Sequence, residues 1–188
     1  MSAELGGGMQ PQPETKKSKR RNQLLAFQRE IVKRTQDARD NVDNQSRRLA
    51  VQAGSEHVLI DLKQTGELLT NINLTSVPLT KSWFLGLTNN RGNLIGVVDL
   101  AGFLGKPITA SEKSDRLLVF ASTISTHCAI RVSKVFGLID VTTMSPEPLV
   151  QRSLRHCTQI YIDQESKKWM QIDLASMAHD PAFLDIRQ

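Results

Sequence analysis

Three groups of side chains in this sequence could do chemistry. The first is a repeated dipeptide, His127-Cys128 and His156-Cys157, whose four donors are of the types that hold zinc tetrahedrally. Neighbouring residues on a strand point to opposite faces, so both members of a pair do not easily reach one ion. Structural zinc ligands usually stand two to four residues apart on a turn, and these do not. A small buried thiol beside a surface imidazole is the expectation, with no metal and no cofactor. The second group is Asp99 and Asp173, each closing an apolar run and each followed by leucine. An aspartate there accepts backbone N–H groups as a strand turns into a helix, so both read as caps and not as an acid–base pair. The third is Arg91, followed by Gly92 in a tight Asn-Arg-Gly turn. Gly92 suits positive φ, and the turn presents a planar five-donor guanidinium fitted to bidentate recognition.

Catalytic machinery is missing from this inventory. Nucleophilic catalysis needs a Ser, Cys or Thr activated by a positioned base. No Gly-x-Ser-x-Gly occurs, His57, His127, His156 and His179 lie in different segments, and no Gly-Lys-Ser/Thr phosphate loop is present. The expectation is a protein that is not an enzyme.

The elements that must position Arg91 read as β. Leu49–Ala53 and Glu56–Leu62 form a hairpin around Gly54-Ser55, and Gly66–Asn71 reads as a helical turn. Trp83–Leu87 and Leu94–Leu100 flank the turn that carries Arg91. Leu117–Ser122 pairs with His127–Val132, and a strand follows over Val135–Val141. Thr142–Pro148, with two prolines, is a breaker; Ile160–Asp163 and Trp169–Ile172 close a last hairpin before a short helix at Leu174–Met177. Short strands spaced roughly 8–12 residues apart without long helices between them indicate a β-barrel or sandwich.

At 188 residues the chain has room for one domain or two small lobes with appendages. Residues 1–48 hold 11 Lys/Arg against 6 Asp/Glu, and residues 49–188 hold 13 of each. The whole surplus of +5 therefore sits in the N-terminal quarter. Residues 1–21, with Gly6-Gly7-Gly8 and the basic run Lys16–Arg21, read as a disordered tail. Residues 22–46 read as an amphipathic helix, with Leu24, Leu25, Phe27, Ile31 and Val32 on one stripe, that fades into a linker. A nucleic-acid-binding barrel carries positive charge on its folded body, which this sequence does not, so no nucleic-acid partner is expected. The alternative is a small β-barrel module that binds nucleic acid through the basic tail. No apolar run approaches the ~18 residues of a membrane span, no secretory signal leads the chain, and two cysteines suit a reducing cytosol. A cytoplasmic protein without direct membrane insertion is expected.

The segment Trp83–Leu100, WFLGLTNNRGNLIGVVDL, carries a more specific signal. Gly86, Leu87, Asn89, Arg91, Gly92, Leu94, Val97, Val98, Asp99 and Leu100 match the signature of the CheW-like family, which this sequence resembles over roughly residues 47–188. Asn90 stands where that signature usually has an apolar residue. The family consists of adaptors that couple chemoreceptors to a CheA-type histidine kinase. The resemblance implies a mainly β fold of two five-stranded SH3-like barrels around a shared hydrophobic centre, preceded here by the amphipathic helix. It implies that Leu87, Asn90, Arg91, Gly92 and Val98 meet the cytoplasmic tip of a methyl-accepting chemoreceptor, with Leu87 and Val98 as an apolar floor. Glu67 and Leu68 would face the kinase's regulatory domain, and the protein would cluster at membrane receptor arrays. Within the family, the N-terminal helix and the ending Trp169–Leu184 are most similar to the member serving type IV pili and twitching motility.

Overall fold

Alternating apolar residues bring β1 (Arg47–Ala53) and β2 (Glu56–Asp61) together as an antiparallel hairpin, in register from Arg48 opposite Asp61 to Ala53 opposite Glu56. The computed structural model describes residues 46–70, 73–110, 112–125, 127–149 and 155–188. The expected tail, and the expected helix and linker up to residue 45, lie outside the described residues. The remaining strands are β3 (Thr65–Leu69), β4 (Phe84–Asn90), β5 (Asn93–Asp99), β6 (Arg116–Phe120), β7 (Cys128–Val132), β8 (Lys134–Asp140), β9 (Ser145–Glu147), β10 (Cys157–Ile162) and β11 (Lys168–Ile172). Three short α-helices, α1 (Leu100–Phe103), α2 (Leu174–Ala178) and α3 (Pro181–Leu184), and two 3-10 turns at Leu62–Gln64 and Val141–Thr143 complete the described elements.

The expected mainly β class holds. The strands form two mixed sheets, one ordered β8-β1-β2-β11-β10-β9 and the other β3-β6-β7-β5-β4. Each contains one parallel pair, β2 with β11 and β5 with β7, among antiparallel neighbours. In the five-stranded sheet, the terminal strands β3 and β4 meet: the Asn90 amide donates to Glu67 Oε2 at 3.1 Å, so this sheet curls upon itself. In the six-stranded sheet the two edge strands are joined directly through a 3-10 turn at Val141–Thr143.

Both faces of the central strands β1, β2, β5, β6 and β7 contribute buried residues, and successive residues feed different apolar clusters. Ala50, Leu59 and Trp169 pack together on one face of the six-stranded sheet, and Ile95, Val97, Leu117, Val119 and Ala129 on one face of the other. The opposite faces share one centre, with Val51, Ile60 and Ile172 from the first sheet against Val98, Leu118, Phe120 and Ile130 from the second. This shared centre joins the sheets into one body. Its burial supplies most of the driving force, at about 25 cal/mol per Å² of apolar surface.

Two expected elements are different in the structure. The helical turn expected over Gly66–Asn71 is strand through Leu69, and Asn71 lies outside the described residues: Thr65–Leu69 is β3, with Leu68 opposite Leu118 and Leu69 opposite Leu117 on β6. The pairing partner lies some fifty residues away, which local periodicity does not register. The breaker Thr142–Pro148 contains β9, with Pro146 opposite Tyr161. This strand lies at the sheet's edge, where a missing N–H need not cost a ladder bond.

Candidate docking site

The hairpin of β4 and β5 turns through two residues, Arg91 and Gly92, with Asn90 opposite Asn93. Both have positive φ, +52° and +88°, as the tight hairpin turn that follows strand twist requires. A Cβ on Gly92 would touch nothing within 4 Å, so glycine serves the backbone conformation there and not the space. Arg91 accepts the same conformation despite its side chain, a strain of about 1–2 kcal/mol. Asn89 Oδ1 accepts the Gly92 N–H at 2.9 Å and stiffens the turn.

The side chain of Arg91 is 77% exposed, and its guanidinium ion-pairs with Glu67 of β3. Both carboxylate oxygens of Glu67 are used, one by Arg91 and the other by Asn90. Asn90, where the family signature usually has an apolar residue, is thus a polar tie between the sheet's two terminal strands. Sequence reasoning placed Glu67 and Arg91 before different partners; the fold joins them in one cluster. Leu68, next along β3, alternates to the other side of the strand and is 41% exposed.

The apolar floor expected beneath Arg91 requires correction. Val98 is 3% exposed and packs in the shared centre, so it offers no surface to a partner. Position 98 is on β5, whose last three residues are all buried. Leu87 is half-buried, and its backbone is engaged on both sides of the residue: its N–H donates to the Thr75 carbonyl at 2.9 Å, and its carbonyl accepts from Thr75 at 2.8 Å. Exposed apolar surface near the tip belongs instead to Leu94, 57% exposed and opposite Asn89.

Asp99 and Asp173 are caps, as their positions suggested. Asp99 accepts the N–H of Gly102 at 2.6 Å, and Asp173 accepts those of Ala175 and Ser176. Asp99 has a second role that the sequence reading missed, a buried ion pair with Arg131 at 2.7 Å. The available signal was a lone charged residue in the strand Cys-Ala-Ile-Arg-Val. The His-Cys pairs stand apart from this network. His127 Nδ1 lies 3.2 Å from the Leu94 carbonyl, while His156 bridges Ser176 Oγ at 2.7 Å and Asp180 at 2.8 Å. Cys157 is half-buried, and burial pushes its thiol pKa upward. Among the described residues, no group of three or more His, Cys, Asp or Glu side chains could hold a metal ion. Among them, too, no helix is long and apolar enough to cross a membrane.

Residues 47–182 match the CheW-like domain. The chain belongs to the CheW-like family. The matched span begins with β1 and ends inside α3, so it takes in every described strand. Among curated proteins, the chain is similar to Protein PilI of Pseudomonas aeruginosa, 28% identical over 136 residues that cover 71% of this chain and 75% of that protein. Among solved structures, it is similar to the scaffolding protein TtCheW of Thermoanaerobacter tengcongensis, with a TM-score of 0.58 at 21% identity, covering 69% of this chain and 84% of that one. The second likeness bears on the fold alone. This CheW-like chain presents its exposed arginine at the end of a sheet that its own Glu67 helps to close.

Proposed function

We propose that this chain is a non-catalytic adaptor that couples the cytoplasmic tip of a methyl-accepting chemoreceptor to a CheA-like histidine kinase. The pathway proposed is the chemotaxis-like one that controls type IV pilus twitching, on the strength of the similarity to PilI. The observation that carries the docking site is Arg91: a side chain 77% exposed, on a turn whose backbone conformation is fixed and whose base is tied to β3. A pre-organised cation loses little freedom on binding and can be matched bidentately by a partner's carboxylate. Leu87, Asn90, Arg91 and Gly92 are assigned to the receptor, and Glu67 with Leu68 to the regulatory domain of the kinase. Because Glu67 already pairs with Arg91, a ligand that takes Arg91 alters the group facing the kinase.

The domain assignment under this reading is a basic tail over residues 1–21, a helix and linker over 22–46, and the adaptor domain over 47–188. The protein acts in the cytoplasm at membrane receptor arrays, with no metal, cofactor or nucleic acid. The test is co-purification of the full chain with a receptor-tip fragment and with the kinase's regulatory domain. Capture of both, retained after deletion of residues 1–21, is expected. Capture of neither, or nucleic-acid binding lost with the tail, overturns the reading.

A further inference from the structure

A cavity of about 240 Å³ lies between the end of α1 and the strands β10 and β11. Phe103, Leu104, Met170 and Ile172 make its lining apolar, and Cys157 adds a half-buried thiol. Among the described residues on that lining, the charged ones are Lys106 and Arg155, both cations. Lys106 pairs with Glu56 at 3.1 Å. Arg155 is 67% exposed and stands 3.9 Å from Asp180 Oδ2, an oxygen that His156 Nε2 already approaches to 2.8 Å. At 3.9 Å the guanidinium is beyond hydrogen-bond reach, so this ion pair leaves donors for a closer acceptor.

The volume selects the kind of occupant. Small-molecule sites run to roughly 300–1,000 Å³, and this cavity falls below that range, near the space of one large apolar side chain. Two cations at an apolar hole call for such a side chain with a carboxylate next to it. This chain carries that combination beside the cavity itself. Leu184 is 63% exposed, and Asp185 follows it with its carboxylate also exposed. On the inner side of α3, the ring of Phe183 packs edge-on against Phe103 of the lining, with centroids 5.1 Å apart. The N–H of Leu184 donates to the carbonyl of Asp180 at 3.0 Å, so Leu184 stands one helical turn from the residue that faces Arg155. A knob and a hole that neighbour each other on one surface suit a two-fold contact, in which each copy fills the other.

We infer that the cavity receives Leu184 of a second copy of this chain, with Asp185 of that copy against Arg155 and Lys106, and that the exchange is reciprocal. The contact stands apart from the coupling function proposed above and needs no molecule but the chain itself.

The full chain is followed by sedimentation velocity over a range of concentrations, with half-association expected at about 100 µM, since contacts this small are weak. Alkylation by iodoacetamide, read for each cysteine by mass spectrometry, should slow at Cys157 as the copies associate and stay constant at Cys128, which does not line the cavity. Leu184→Ser is expected to weaken association about tenfold or more. Arg155→Glu and Asp185→Lys each set like charges against one another at both contacts, so each variant alone should remain monomeric. Mixed in equal amounts, the two variants restore opposite charges at both contacts, and association should return. All three positions are exposed, so thermal unfolding, measured on every variant, should show the fold retained. A chain still monomeric at about ten times the expected midpoint overturns the inference. So does association that leaves Cys157 labelling unchanged, or a mixture that fails to recover it. Slower labelling of Cys157 by added benzoate in a chain that stays monomeric assigns the cavity to a small apolar acid and likewise overturns it.

Discussion

Replacing Arg91 with alanine separates docking from folding, because the structure sets the two effects far apart. The ion pair that is lost joins side chains 77% and 37% exposed, and such pairs contribute about 0.2–1 kcal/mol. The backbone term does not change, since alanine carries the same Cβ into the same positive φ. The bond from Asn90 to Glu67 remains, so the sheet's terminal strands stay tied. Thermal unfolding by circular dichroism should therefore shift by less than about 5 °C. Binding has more to lose: a guanidinium that meets a carboxylate makes charge-assisted bonds of about 1.5–3 kcal/mol, or roughly 10- to 150-fold in affinity. Calorimetric titration with a receptor-tip fragment measures this directly. Arg91→Gly sharpens the comparison. It relieves about 1–2 kcal/mol of left-handed strain, against about 0.5–1 kcal/mol of added unfolded-state entropy. Its stability should stay near or above the parent's while its affinity falls as far. Undiminished affinity in both variants, or a destabilisation above about 2 kcal/mol in the alanine variant, would refute the reasoning.

Gly86→Ala is expected to be severe, because φ is +126° and an added Cβ would overlap the Thr75 carbonyl oxygen. The loss should exceed about 2 kcal/mol in chemical denaturation, with exchange of the Leu87 and Thr75 amides rising first. Asp99→Asn keeps an oxygen able to cap α1 but takes the charge from the nearest partner of the buried Arg131; about 3–5 kcal/mol of destabilisation is expected by the same measurement. Asp163 accepts the Trp169 indole N–H, then the backbone N–H groups of Lys167 and Glu165, and these hold its pKa below the usual carboxylate range. A depressed native pKa contributes stability that is present above the unfolded pKa and is lost as pH falls through the native one. The acid limb of the stability curve should accordingly be shallower in Asp163→Asn, as read by unfolding midpoints between about pH 6 and pH 2.

The β4–β5 hairpin could be read before any coordinates existed, because alternating apolar residues and an Asn-Arg-Gly turn are both local signals. The aspartate caps were legible for the same reason: the donors they satisfy lie two or three residues further along. β3 was not legible, since its pairing to β6 spans some fifty residues, and its five residues suit a helical turn equally well in isolation. Nor was β9, where proline argues against a strand unless the strand is known to lie at an edge. Val98 was placed at the docking floor by the family resemblance alone, and a motif does not register that both faces of β5 are covered around this position in the fold.

Sequence by itself therefore determined which residues bend, pair locally and cap, along with the family to which the signature belongs. The three-dimensional arrangement decided which charges meet. Glu67 reaches Arg91 across 24 positions because the five-stranded sheet brings its terminal strands together, and Arg131 reaches Asp99 across 32 because β7 pairs with β5 at that point. Electrostatic partnership depends on distance through space, and distance along the chain carries almost none of that information once loops close.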